Sequence, residues 1–109
     1  MKNYKNLVLL TLLFLVGQFT IAQIASQKKA DYYFSKFSYS LAIPEYERMV
    51  ETDFNAEYAH QQLAECYLLI RDYKKSIPHF KAVINNATLP TDYYFKYAMA
   101  LYANGDLDE

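Results

Sequence analysis

The sequence predicts an all-α fold in which helix-turn-helix repeats stack into an α-solenoid. Apolar and aromatic residues recur at three- and four-residue steps, the spacing of one helix face. Only two glycines occur in 109 residues, which disfavours an all-β fold with many turns. The stretch LAECYLLIRDYKKSIPHFKAVI at 63–84 also matches the chain on both sides at an offset of about 34 residues. The matches are Ala64 with Ala30, Tyr67 with Tyr33, Tyr73 with Tyr39, Ile77 with Ile43, Pro78 with Pro44 and, toward the C-terminus, Ala64 with Ala98.

Residues 1–22 have the features of a secretory signal peptide. A short positive start, MKNYK, precedes the apolar run LVLLTLLFLV. The small residues of the segment TIA predict cleavage between Ala22 and Gln23. An uncleaved N-terminal anchor is the alternative, although a membrane-spanning helix needs roughly 20 apolar residues. The repeat domain then covers residues 23–109.

Five helices are expected, each with a recognisable start or end. Asp72 is the predicted N-cap of the fourth helix, and Gly105 is placed to end the fifth. Pro44 and Pro78 are expected in the first turn of the second and fourth helices, where backbone N–H groups lack helical partners. The predicted helices cover residues 26–36, 40–52, 56–70, 73–85 and 91–104.

The repeat pattern stops within its third copy, after about two and a half repeats. The final residues GDLDE stand where the other two copies turn into their second helix. Such repeats bury their apolar faces by stacking and normally end in a polar cap. We therefore expect the repeat domain to be truncated at its C-terminus, as part of a longer protein.

The repeat resembles the tetratricopeptide repeat, which is marked by small and aromatic residues at fixed positions of two helices. The family's glycine is alanine in all three copies, a small-for-small exchange. The residues that carry the resemblance are Leu63, Ala64, Tyr67, Ser76 and Phe80 in the middle copy, Ala30, Tyr33, Ala42 and Tyr46 in the first, and Tyr94, Tyr97, Ala98 and Leu101 in the third. The resemblance implies an α-solenoid with a concave face.

A narrower resemblance concerns the signal peptide followed at once by these repeats. The signal peptide, the repeats that follow it and the segment ADYYFSKFSYSLAIPEYERMV are together similar to the N-terminal region of outer-membrane-protein-A-like envelope proteins of Gram-negative bacteria. Some members of that family bind peptidoglycan or belong to secretion machinery. The resemblance implies export to the periplasm, and association with the outer membrane stays open.

Catalytic and ligand-binding chemistry is not indicated. His60 and Cys66 lie six positions apart on one predicted helix, so they point in different directions. We expect the Cys66 thiol to be buried and the His79 side chain to be exposed to solvent. No metal-ligand spacing and no phosphate-binding loop is present in the sequence. We expect no enzyme activity, no cofactor and no metal. The basic residues are scattered and form no positive patch of the kind that binds nucleic acid.

The resemblance divides the first helix of each repeat into a packing side and a concave side. The packing set would be Ala30, Tyr33, Leu63, Ala64, Tyr67, Tyr97, Ala98 and Leu101. The concave set would be Asp31, Phe34, Tyr58, Gln61, Gln62, Glu65, Leu68, Leu69, Phe95, Lys96, Met99 and Tyr102. Aromatic and Met side chains of this kind are enriched at protein interfaces, although such a stripe is more often core.

The sequence therefore predicts a non-catalytic scaffold that holds a protein or peptide partner in the bacterial cell envelope, with only indirect membrane association. The alternative is a purely architectural spacer at the N-terminus of a larger envelope protein. A role in binding a small ligand or in catalysis is a third possibility.

Overall fold

The computed structural model describes residues 3–86 and 88–105, and every regular element in that part of the chain is an α-helix. The final four residues, which include most of the GDLDE segment, lie outside the described residues. The prediction of an all-α fold is confirmed. The helices are α1 Tyr4–Ser35, α2 Tyr39–Glu51, α3 Ala56–Leu69, α4 Tyr73–Val83 and α5 Thr91–Asn104.

Helix α1 differs most from the prediction, because it joins the apolar leader to the first predicted helix. It runs for 32 residues and passes through the expected cleavage site at Ala22 without a break. The leader is rich in Leu and has no proline, so no local signal stops the helix. An 18-residue window in α1 has a mean hydropathy of 2.2 and is entirely unburied. This long apolar helix is compatible with a signal sequence or a membrane anchor.

The turns that end α1 and α3 share one backbone geometry. Phe37 and Arg71 both adopt the left-handed conformation, with φ of 61° and 64°. In both turns the following N–H donates to a carbonyl five residues back, from Ser38 to Tyr33 at 2.9 Å and from Asp72 to Tyr67 at 2.8 Å. Gly105, which ends α5 with φ of 84°, lies a further 34 positions along. Residues with positive φ thus recur at intervals of 34 positions where α1, α3 and α5 end.

The predicted N-cap of α4 is confirmed, and the placement of the two prolines is corrected. The Asp72 carboxylate accepts a hydrogen bond from the Lys75 N–H at 3.2 Å. Pro44 and Pro78 are each the sixth residue of their helix, which is one turn later than predicted. Both rings face solvent. Water can therefore reach the helical carbonyl that each proline leaves without an N–H partner.

The core forms two clusters that meet at α3. Each helix packs chiefly on its neighbours in the chain. Tyr46 is fully buried in the first cluster and Phe80 in the second, at equivalent places of the repeat. The first cluster contains Ala30, Ala42, Ile43, Tyr46, Met49, Ala59, Leu63, Cys66 and Tyr67. The second contains Ala64, Ile77, Phe80, Val83, Leu89, Tyr93, Ala100 and Leu101.

Most of the predicted packing set lies in this core, with one exception. Ala98 is exposed, because no described element packs against its side of α5. Helix α5 instead buries Tyr93 and Ala100, which face α3 and α4. The buried members are Ala30, Leu63, Ala64, Tyr67 and Leu101, and the half-buried ones are Tyr33 and Tyr97.

Candidate interaction surface

Three polar residues of the predicted concave set are engaged in a hydrogen-bond network within the fold. The Asp31 carboxylate accepts from the Tyr46 hydroxyl at 2.6 Å and from the Tyr58 hydroxyl at 2.8 Å. The Gln62 side-chain amide donates to the Tyr46 hydroxyl at 3.2 Å. Burial and the bond to Asp31 raise the pKa of Tyr58 to about 12, so this hydroxyl stays protonated and donates. The network links α1, α2 and α3.

Phe34 and Gln61 are also partly engaged within the fold. The Phe34 ring packs edge-on against Tyr39, with centroids 5.4 Å apart, and borders the first core cluster. Gln61 is half-buried, and its backbone carbonyl accepts from the Tyr93 hydroxyl at 3.1 Å. Neither residue offers a large free surface to a partner.

A small depression between α3 and α5 joins charged and apolar members of the concave set. Glu65, Leu68, Leu69 and Lys96 line it. The Lys96 ammonium pairs with the Glu65 carboxylate and with Asp92 at 2.9 Å. Burial lowers the pKa of Lys96, but the two carboxylates outweigh burial and raise it overall. The charged side chains at the edge of the depression therefore neutralise one another, and its two leucines form an apolar wall.

The three remaining members of the concave set form an exposed apolar strip along α5. Phe95 is 67% exposed, Met99 46% and Tyr102 75%. Together with Ala98 and Ala103 they line an open hollow on the helix surface. Leu69, on α3, is also exposed. We refer to Phe95, Met99 and Tyr102 as the α5 strip.

The prediction that the His79 side chain is exposed to solvent is wrong. The ring is half-buried, stacks on Tyr67 with an interplanar angle of 9°, and has its Nδ1 atom 2.9 Å from the Nδ1 atom of His60. Burial and the neighbouring His60 lower the pKa of His79. The two histidines are 19 residues apart on α3 and α4, so only the crossing of these helices brings them together.

The remaining reactive groups are held in the core. Cys66 is buried as expected, and burial raises the pKa of its thiol to about 12. Within residues 3–86 and 88–105, no group of three or more His, Cys, Asp or Glu side chains could hold a metal ion.

No family model, no curated protein and no solved structure matches this chain.

Proposed function

We propose that this protein is a non-catalytic scaffold whose tetratricopeptide-like helical repeats bind a protein or peptide partner in the bacterial cell envelope. The observation that carries the proposal is the α5 strip. Three large apolar side chains, Phe95, Met99 and Tyr102, stand exposed on one helix next to the depression at Leu69.

An exposed apolar strip of this kind favours a binding role because covering it releases water. Burying one such side chain contributes about 1.5–3 kcal/mol before the entropy lost on association is subtracted. Aromatic and Met side chains are also the residues enriched in the centre of protein interfaces. An amphipathic helix or an extended peptide fits such a surface.

The repeat architecture is supported by the period of 34 residues in sequence and turn geometry. The envelope location is supported by the apolar N-terminal helix, which we interpret as a signal peptide cut after Ala22. We therefore place the mature chain in the periplasm. The proposed relation to outer-membrane-protein-A-like proteins rests on the sequence resemblance alone.

The network around Asp31 favours a second candidate, the architectural spacer. Tyr58 and Gln62 are bonded within the fold, so this half of the concave set holds helices together and offers little to a partner. A spacer needs rigid helix contacts and no free groove. As a spacer, the repeats would fix the positions of other domains within one long chain.

The experiment is site-specific photo-crosslinking in the envelope of living cells, with a photoreactive residue at Phe95. We expect one dominant adduct that disappears when Met99 and Tyr102 are changed to Ala. The matched control changes Tyr32 and Leu41 to Ala. These residues are similarly exposed but lie outside the predicted concave set.

Two outcomes would favour the spacer instead. One is the absence of any dominant adduct from the photoreactive residue at Phe95. The other is unchanged envelope assembly when the variant is folded by circular dichroism.

A further inference from the structure

The two histidines of the chain meet across the α3–α4 contact. Their Nδ1 atoms are 2.9 Å apart, and the ring centroids are 5.2 Å apart at an angle of 38°. A neutral imidazole carries one N–H and one free lone pair. One ring therefore donates its N–H to the lone pair of the other, so the two Nδ1 atoms face each other.

The separation of these atoms suits a shared metal ion. Imidazole nitrogens bind transition metals at about 2.0–2.1 Å. Two such ligands at adjacent positions of a square or tetrahedral shell are then roughly 2.9–3.4 Å apart, given that bond length. The observed 2.9 Å lies at the short end of that range. An ion bonded to both atoms would lie off the line that joins them, so each ring would have to turn until its lone pair points at the ion.

The surroundings hold the pair in place. The His79 ring stacks on Tyr67 with centroids 5.7 Å apart, and the Tyr67 hydroxyl donates to the Glu47 carboxylate at 2.6 Å. The Glu47 charge favours the positive form of His79, but burial and the His60 ring outweigh it and lower the pKa. The opposing charge is Lys75, whose ammonium lies 5.8 Å from the centroid of the Tyr67 ring.

We propose that His60 and His79 form a two-histidine site for a divalent transition-metal ion that prefers nitrogen ligands, namely Cu²⁺, Ni²⁺ or Zn²⁺. Both rings are only half-buried, so water can reach the ion. Because the described residues supply no third acidic, thiol or imidazole ligand, water completes the shell. The ion links α3 to α4 and strengthens their contact.

The test uses the full chain in detergent, without a histidine tag, titrated with Cu²⁺ and Ni²⁺ at neutral pH. Since the chain contains only two histidines, any imidazole signal comes from this pair. We expect one ion per chain. We also expect the paramagnetic resonance spectrum of the Cu²⁺ form to show two imidazole nitrogens.

The variants His60→Ala and His79→Ala should each weaken binding at least about tenfold and leave one nitrogen in the spectrum. The control Glu51→Ala alters an exposed position at the end of α2, and its affinity should stay within about twofold, well under the roughly 1.4 kcal/mol of a tenfold change. The number of imidazole nitrogens in the spectrum of the unmodified chain tests the proposal even if a variant fails to fold.

Three outcomes would overturn the proposal. The first is binding no tighter than that of the His60→Ala/His79→Ala double variant. The second is a spectrum with a single imidazole nitrogen. The third is recovery of tight binding when the two single variants are mixed, because the site would then lie between chains.

Discussion

Helices α3 and α5 occupy the same place in the 34-residue period, yet one is covered and the other is not. Ala64 on α3 is fully buried, whereas its equivalent Ala98 on α5 is exposed. Helix α4 packs against α3 on the Ala64 side, and no described helix does the same for α5. Burial of a small residue is thus decided by the neighbouring helix and not by the residue itself.

The two helices also differ on their other side. Gln61, Glu65 and Leu68 are half-buried on α3. The equivalent residues of α5 are Phe95, Met99 and Tyr102, which are larger, apolar and exposed. The α5 strip is therefore more than the result of a missing neighbour, since its composition differs from that of α3 at matched positions.

The largest expected difference in the free energy of unfolding is between the variants Phe80→Ala and Phe95→Ala. Phe80 is fully buried against Tyr93 and Tyr97, so Phe80→Ala should lower the free energy of unfolding by about 3–5 kcal/mol. Phe95→Ala should change it by less than about 0.5 kcal/mol, because the ring is exposed. Urea unfolding of the full chain in detergent measures both. Equal losses would mean that the α5 strip is covered in solution.

A smaller contrast is expected between the equivalent alanines. Ala64→Leu should destabilise the fold by about 1–3 kcal/mol, because the added methyl groups have no space at the α3–α4 contact. Ala98→Leu should be neutral within about 0.5 kcal/mol. The same unfolding experiment compares them. A marked loss from Ala98→Leu would show that another surface packs on this side of α5.

Weakening the start of α4 should partly uncover α3. Asp72→Ala removes the N-cap and should cost about 1 kcal/mol. Urea unfolding of the full chain in detergent measures this loss. Glu51→Ala, at an exposed position at the end of α2, should change the free energy of unfolding by less than about 0.5 kcal/mol. An unchanged free energy of unfolding in Asp72→Ala would mean that α4 holds without its cap.

The smallest effect is the pH dependence of the α3–α4 contact, measured without added metal. The pKa of folded His79 lies below its ordinary value of 6.5, so the unfolded chain takes up the proton first. Its contribution to stability is therefore complete above pH 6.5 and declines as the pH falls toward the lowered folded pKa. Thermal unfolding between pH 7.5 and 5.5 should show this slope in the unmodified chain and a shallower one in His79→Gln. Parallel slopes would assign the effect to other groups.

Local sequence signals predicted the local structure well. The bounds of α2, α3 and α5 differ from prediction by at most one residue at each end, and α4 ends two residues early. The Asp72 cap follows from residue chemistry that acts within one turn. The prediction failed at Ala98 and at the His60–His79 pair because both depend on which helices meet. It also failed to find Tyr46 as the partner of Asp31, 15 residues away along the chain.

The repeated turn after α1 and α3 has a practical consequence for lengthening this protein. Phe37 and Arg71 have nearly the same backbone conformation and the same closing hydrogen bonds, although their side chains are unrelated. The segment 38–71 therefore begins and ends on one geometry. A gene in which that segment is duplicated would meet a compatible junction at both ends, so this rod of helices could be extended by whole units without designing a new loop.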